Sequence, residues 1–331
     1  MFINFFKSSF FSQYLIIAIT GMFLWMSAFI TPPEMPAPDS PVPLYNLVYF
    51  WLNNYPFVAT LLGFILILTE TYFLATMFSR HELVLKNSSL SALVFFVLMS
   101  FLPDNLTLTP VNIAVGFMIM ILYQILIYYN KPEHLDRVFV AGLFTSIAGF
   151  FYLPFIIWFA FVIISLLLCS AASWRAWMAA FIGLATPLIY MAVWAFWHNE
   201  FIGTIDSYIK FFSRIVLFPN PFNADFYILG SYTLIVAFWG ILFYRKGADK
   251  VVEIRAKSNV LLWTIFFVIA SFLFSGSMAV YHIALAIPAL TMVTARTLTG
   301  LKKTKVAEVI LLIYFFSVLL NNLFIHNLFY R

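Results

Sequence analysis

Two acids in a proline-rich hydrophilic segment, residues 31–55, are the first candidates for chemistry. They are Glu34 and Asp39, and the segment contains no lysine or arginine. A carboxylate at a membrane surface can act as a general base or bind a metal ion, so both residues are predicted catalytic residues. The alternative is a stiff, extended spacer that leads into an aromatic-rich interfacial helix at 44–52.

A second hydrophilic segment, residues 198–225, carries the basic pair Lys210 and Arg214. Residues 201–218 have the spacing of an amphipathic helix, with the two cations four residues apart beside its apolar stripe. The predicted stripe consists of Ile205, Tyr208, Ile209, Phe212 and either Ile215 or Val216. Two cations on an interfacial helix suit a lipid phosphate. The alternative is that they only reach toward anionic headgroups.

Two ionisable residues lie inside apolar runs. Glu70 precedes Arg80 by ten residues, or about 15 Å of helix, which places it near the middle of the membrane. An ionisable group inside a membrane is energetically costly, so we expect it to have a function. The structural alternative is a protonated glutamate bonded to a neighbouring helix. For His282 we expect hydrogen bonding between helices. Asn321 and Asn322 are predicted to mark the fraying outer end of the last helix.

The sequence predicts neither a metal site nor a cofactor. Its five histidines fall in different parts of the predicted topology and do not converge on one ion. Cys169 is the only cysteine, which excludes a cysteine-based metal site and a disulfide within the chain. The sequence also lacks the HExxH, GxSxG, Walker and dinucleotide-binding motifs.

The composition is that of an all-α, polytopic membrane protein. Hydrophobic residues make up 64% of the 331 positions and charged residues 9%, whereas soluble domains are about half apolar and a quarter charged. The net charge of +5 does not indicate nucleic-acid binding, because the basic residues lie in short gaps between apolar runs. We expect one membrane domain, 1–331, with outer loops 31–55 and 198–225 and an inner loop 244–258.

Apolar runs long enough for membrane helices indicate about eleven spans. Leu153-Pro154 predicts a break between two short spans, since proline disfavours helix at the preceding residue, and Ser275-Gly276-Ser277 predicts a turn. The predicted spans are 12–30, 56–79, 89–102, 111–128, 138–152, 155–170, 177–197, 226–243, 259–274, 278–296 and 307–325.

The positive charges support this count and set the orientation. With a cytoplasmic N-terminus, only Lys210, Arg214 and Arg331 fall outside, which leaves 15 of the 18 lysines and arginines inside. The C-terminus is then periplasmic. We expect the bacterial inner (cytoplasmic) membrane.

Several segments resemble an uncharacterised family of bacterial multi-pass inner-membrane proteins, some of which carry a carotene-monooxygenase name. The segments are 88–103, 108–110, 141–154 and 174–177 followed by 183–187. Where the family has Trp-Arg-Glu, this chain has Trp174-Arg175-Ala176. The resemblance implies a multi-pass envelope protein and supplies no catalytic residues. The placement of the histidines argues against the oxygenase name.

The order of elements is also similar to that of membrane glycosyltransferases that use polyprenyl-phosphate sugars. That resemblance implies catalysis by Glu34 or Asp39 and phosphate binding by Lys210 with Arg214, although the outer loops of those enzymes are often longer. It concerns architecture alone, so it is a weak argument for function.

Three functions therefore stay open. The chain transfers a sugar or another group from a polyprenyl-phosphate donor, or it is a proton-coupled transporter or lipid flippase that uses Glu70, or it is a non-catalytic membrane subunit. Membrane lipids are the expected partners, together with a polyprenyl-phosphate-linked substrate in the first case. No protein partner is predicted.

Overall fold

The described part of the chain is helical and contains no β-strand, which confirms the all-α fold class. A computed structural model describes residues 5–6, 8, 10–38, 41–85, 88–101, 105–131, 133–168, 173–213, 252–272, 279–301 and 304–327. Asp39, Cys169, Arg214, the predicted span 226–243, most of the loop 244–258 and the turn at Ser275-Gly276-Ser277 lie outside these residues.

The helices follow the apolar runs of the sequence. In chain order they are α1 Phe11–Leu24, α2 Met26–Ile30, α3 Pro43–Leu52, α4 Pro56–Arg80, α5 Leu90–Met99, α6 Pro110–Asn130, α7 Leu135–Phe151, a 3₁₀ helix Leu153–Ile157, α8 Trp158–Leu168, α9 Trp174–Trp197, α10 Phe201–Ser213, α11 Val252–Phe272, α12 Ala279–His282, a 3₁₀ helix Ile283–Ala286, α13 Ile287–Gly300 and α14 Thr304–Asn327. Three of them (α3, α4 and α6) begin with proline, which lacks the amide hydrogen that a first helical turn leaves unpaired.

Five segments of the described chain are long and apolar enough to cross a membrane, as a multi-pass membrane protein requires. They are Pro56–Arg80, Pro110–Tyr129, Trp174–Trp197, Val252–Phe272 and Ile283–Gly300. Shorter apolar segments are Phe11–Leu24, Leu90–Met99 and Leu153–Leu168. Every residue of α5 is buried, so this ten-residue helix lies inside the bundle.

The closest helix packing joins α7 to α9 through two glycines. A Cβ atom at Gly142 would lie 2.2 Å from the carbonyl oxygen of Ala180, and one at Gly183 would lie 2.1 Å from that of Phe139. Both distances are shorter than any real contact. The backbones of the two helices therefore touch, as small residues allow in membrane helix pairs.

The predicted break at Leu153-Pro154 is present. Helix α7 ends at Phe151, Tyr152 is extended with φ −141° and ψ 100°, and a 3₁₀ turn precedes α8. The tenth predicted span is similarly divided, because the chain passes from α12 through a 3₁₀ turn into α13. These irregular turns bring Tyr152 and His282 into contact.

Asn322 of α14 joins three helices, so the prediction that it marks a fraying helix end is wrong. Its side-chain amide is buried and donates hydrogen bonds to the carbonyl oxygens of Leu24 and Ser100, each at 3.1 Å. Those residues stand at the ends of α1 and α5, where carbonyl groups lack a partner within the helix.

Candidate functional site

The two segments predicted as outer loops pack together and form a groove. The side chains of Tyr208, Phe211 and Phe212 in α10 pack against a small buried cluster that includes Val42 and Tyr45. Between α3, α10 and the end of α9 lies a cavity of about 1040 Å³, at the upper limit for small-molecule sites. Its lining residues are Pro41, Pro43, Leu44, Asn46, Leu47, Met191, Trp194, Asn199, Glu200, Gly203, Thr204, Ser207 and Tyr208.

A tight turn places Glu200 in this groove. Asn199 adopts the left-handed conformation with φ 57°, which asparagine tolerates better than most residues. The amide of Asn199 donates to the carbonyl of Phe196 at 3.1 Å, and that of Glu200 donates to the carbonyl of Ala195 at 2.9 Å. This pair of bonds is a Schellman motif. It ends α9 and turns the chain into α10, so Glu200 stands at the start of α10.

One wall of the groove is apolar and contains an oriented tryptophan. The indole of Trp194 stacks on the imidazole of His198, with ring centroids 4.3 Å apart and an angle of 28° between planes. His198 is itself held through Nδ1, 2.9 Å from the carbonyl oxygen of Trp194. Half of the Trp194 surface stays exposed. The groove therefore presents a fixed aromatic ring beside aliphatic side chains.

The lining also contains polar groups and one formal charge. Glu200 is the only ionised residue among the described lining, which otherwise offers amides from Asn46 and Asn199 and hydroxyls from Thr204 and Ser207. Tyr208 adds a buried hydroxyl with no partner among the described residues, and burial raises the pKa of this phenol. The groove thus combines hydrogen-bonding groups with a net negative charge.

The predicted site residues do not form this lining. Glu34 is exposed, and Lys210 forms an ion pair with Asp206 at 2.6 Å, with both side chains more than half exposed. No ion pair joins Glu34 to Lys210. Asp39 and Arg214 lie outside the described residues. The assignment of catalysis to Glu34 and Asp39, and of phosphate binding to Lys210 and Arg214, stays a prediction.

Helix α10 is amphipathic, but its packed face differs from the predicted stripe. Tyr208 and Phe212 pack against the cluster, as expected, together with Phe211. Ile205 and Ile209 are exposed instead, while Ile215 and Val216 lie outside the described residues. A second face of α10 lines the groove, so the residues that pack against the cluster are not all those that simple helical periodicity predicts.

Glu70 is buried inside the bundle, with the backbone of Gly116 against its carboxyl group. Its side chain is 5% exposed, and both carboxyl oxygens are buried with no side-chain partner among the described residues. A Cβ atom at Gly116 would lie 2.7 Å from Oε1, so the carboxyl group occupies the space above that glycine in α6. The neighbouring Thr71 hydroxyl donates to its own helix at Ile67. The backbone of Gly116 in α6 lies against this carboxyl, so the predicted structural alternative, a bond from Glu70 to a neighbouring helix, stays a prediction.

His282 forms a complete hydrogen-bond network, which confirms the expected role between helices. Its Nε2 lies 3.0 Å from the carbonyl oxygen of Val268, which can only accept, so Nε2 carries the hydrogen. Nδ1 then accepts from the Tyr152 hydroxyl at 2.8 Å. Ser271 Oγ lies 2.9 Å from Nε2 and accepts from the indole of Trp158 at 3.3 Å. The network joins α8, α11, α12 and the extended residue between α7 and α8.

A cluster of charged and aromatic groups at the C-terminal end of α4 was not predicted. Arg80 donates to the Tyr123 hydroxyl, and Lys257 pairs with Glu253 at 2.5 Å. Buried His81 has an unpaired Nε2. Burial, followed by the positive charges of Lys257 and Arg80, lowers the pKa of His81 to about 4. Arg80, Tyr123 and Lys257 come from segments far apart in the chain, so no local sequence pattern joins them.

Comparison of the chain with protein-family models, curated proteins and solved structures found no match in any of the three.

Proposed function

We propose that this chain is a bacterial inner-membrane enzyme of envelope biogenesis that transfers a group from a polyprenyl-phosphate donor in the groove between α3 and α10. The carrying observation is the position of Glu200, an exposed acid whose backbone is fixed by the turn after α9 and which lines the groove together with apolar residues. Such a groove suits an amphiphile, since it offers apolar surface to the chain and hydrogen-bonding groups to the head.

The proposed topology places the groove at the periplasmic face. About eleven spans with a cytoplasmic N-terminus and a periplasmic C-terminus put the segments 31–55 and 198–225 on the same side. The packing of α3 against α10 supports this part of the topology, because two segments on opposite faces of a membrane could not meet.

In the proposed reaction Glu200 is the general base. An acceptor hydroxyl attacks the donor carbon bonded to phosphate, and the carbon–oxygen bond to phosphate breaks. The polyprenyl phosphate leaves with the bonding electrons, and the hydroxyl proton passes to the Glu200 carboxylate. Lys210 would exchange Asp206 for the leaving phosphate, with Arg214 as its second cation. Glu34 and Asp39 are the alternative bases.

The test uses the full chain in nanodiscs with a polyprenyl-phosphate donor that carries a radiolabelled sugar. Release of polyprenyl phosphate should fall by about 100-fold or more in Glu200→Gln, the usual cost of removing a general base. Glu133→Gln, an exposed acid after α6, is the matched control and should retain turnover.

Unchanged turnover in Glu200→Gln would remove that residue from the mechanism. Loss in Glu34→Ala or Asp39→Ala would then transfer the role to the predicted acids. A wild-type chain that turns over no donor contradicts group transfer itself.

Proton-coupled transport or lipid flipping is the second candidate, supported by the buried carboxyl of Glu70, which has no side-chain partner among the described residues. A buried acid without a charged or hydroxyl partner is an expensive feature that a purely structural role does not require. In this case Glu70→Gln should abolish uptake by proteoliposomes, whereas Glu200→Gln should leave uptake intact. The opposite pattern favours the groove.

A further inference from the structure

We infer that the groove binds an uncharged, hydroxyl-rich headgroup, namely the sugar of a lipid-linked sugar, and leaves the phosphate outside. The inference rests on the proposed function, whose site it shares, and it specifies the chemical class that the site selects. Three independent properties of the lining carry it: the aromatic ring, the set of hydrogen-bonding groups and the charge.

The aromatic ring provides a flat apolar surface of fixed orientation. His198 covers one face of the Trp194 indole, and Trp194 lines the groove while half of its surface stays exposed. The C–H groups on one face of a sugar ring form a flat apolar surface of the same kind. Burial of that face against the indole is favourable, while the ring hydroxyls point outward to polar partners.

The polar groups of the lining suit the hydroxyl groups of a sugar, which both donate and accept hydrogen bonds. The amides of Asn46 and Asn199 do both, and the carboxylate of Glu200 accepts through two oxygens. Ser207 donates to the carbonyl of Gly203 at 2.7 Å, so its oxygen keeps capacity to accept. A phosphate, which mainly accepts, would leave most acceptors of this lining without a donor.

The charge of the lining disfavours phosphate. No lysine or arginine belongs to the described lining, so a phosphate in the groove would face Glu200 without a compensating cation. Lys210 lies one helical turn beyond Asp206, and its ammonium group pairs there outside the lining. The division of charge along α10 therefore assigns the neutral head to the groove and the phosphate to the end of the helix.

The experiment compares three probes that share a hexyl tail and differ in the head: hexyl β-glucoside, hexyl phosphate and hexyltrimethylammonium. Each is titrated below its micellar concentration into the full chain in nanodiscs, and binding is measured by calorimetry against empty nanodiscs. We expect the glucoside to bind at least about 10-fold more tightly than either charged probe, a difference of 1.4 kcal/mol. Trp194→Leu and Glu200→Gln should each weaken glucoside binding by a similar factor.

The chain offers a matched control for each substitution. Trp197→Leu removes an exposed indole of α9 that does not line the groove, and Asp206→Asn removes a carboxylate of α10 outside the lining. Both should leave glucoside affinity unchanged. Trp194→Phe keeps an aromatic ring and should restore part of the affinity. Thermal unfolding of every variant identifies any loss that arises from misfolding.

Tighter binding of hexyl phosphate or of hexyltrimethylammonium than of hexyl glucoside overturns the inference, and so does equal weakening by Trp194→Leu and Trp197→Leu. Failure of the inference is distinct from failure of the proposed function. Glucoside binding without donor turnover would leave sugar selection standing and contradict group transfer. Turnover that depends on Glu200, without glucoside binding in the groove, would support group transfer and contradict sugar selection.

Discussion

His282 and Glu70 are both buried inside the helical bundle, and they differ in what their polar atoms touch. Both ring nitrogens of His282 are hydrogen-bonded, to Tyr152 on one side and to Val268 on the other. The carboxyl oxygens of Glu70 have no side-chain partner among the described residues, and one lies against the backbone of Gly116. His81 resembles Glu70 in this respect, since its Nε2 is buried and unpaired.

This difference separates buried polar groups that stabilise the fold from buried polar groups that destabilise it. A buried group with all its partners stabilises the fold modestly, and its removal leaves several other groups unsatisfied. A buried group without partners contributes desolvation cost alone. The sign of a stability change on substitution therefore distinguishes the two kinds.

The largest expected effect is that of His282→Leu. The substitution leaves the Tyr152 hydroxyl without a partner in an apolar setting and removes the hydrogen bonds of the imidazole to Val268 and Ser271, which should lower the free energy of unfolding by about 3 kcal/mol. Tyr152→Phe removes one bond of the same network and should cost about 1 kcal/mol. The measurement is reversible unfolding in mixed micelles. Equal losses for the two variants would contradict a network centred on the imidazole.

The next effect is a dependence of stability on pH that originates at His81. Its folded pKa of about 4 lies below the ordinary value of 6.5, so the unfolded chain takes up a proton more readily. Stability from this group is complete above pH 6.5 and is lost as the pH falls toward 4. The loss should reach about 2 kcal/mol. Its causes are burial and the charges of Lys257 and Arg80, partly offset by Glu253.

The readout is the free energy of unfolding at pH 7.0 and pH 4.5 for the wild type and for His81→Gln. The wild type should lose about 2 kcal/mol more than the variant over this interval. The variant retains every other titrating group of the chain, so the difference isolates one imidazole. Identical pH profiles would show that His81 is solvated in the folded state.

The smallest effect, and one of opposite sign, is expected for Glu70→Met. Methionine fills a similar volume without polar oxygens, so the free energy of unfolding should stay equal or rise by about 1 kcal/mol. Destabilisation by more than about 1 kcal/mol would show that the carboxyl has partners after all. The comparison with His282→Leu would then lose its basis.

A double-mutant cycle with Gly116→Ala sharpens this test. In the wild type the added methyl group meets Glu70 Oε1 and displaces the flexible carboxyl, whereas in a Glu70→Ala background it meets nothing from that side chain. We expect a coupling free energy of about 0.5 to 1 kcal/mol between the two positions. Gly203→Ala, with no atom within 4 Å of the new Cβ, is the control and should show no coupling to position 70.

Features with local causes could be predicted from the sequence. The apolar runs and prolines predict where α4 and α6 begin, and Pro154 predicts the break after α7. The helical spacing of residues 201–218 predicts α10. Glu70 and His282 were identified because a charged or polar residue in an apolar run is conspicuous.

Features that depend on distant partners could not be predicted. Tyr152 and His282 are 130 positions apart, and no spacing rule joins them. Glu200 was missed because its role follows from the left-handed turn at Asn199 and from the packing of α3 against α10, neither of which periodicity describes. An asparagine just beyond the end of a helix is a Schellman signal, and it was the one local indication of how the chain reaches the groove.

The bonds of Asn322 have a consequence for the order in which the protein matures. A ribosome delivers the chain from its first residue onward, so the carbonyls of Leu24 and Ser100 enter the bilayer 298 and 222 residues before their donor is made. Unpaired carbonyls in hydrocarbon are energetically unfavourable. The early helices therefore reach their final packing only after α14 is inserted. A stop codon before Thr304 would therefore leave a product that membrane proteases recognise, even though it retains the five long apolar helices.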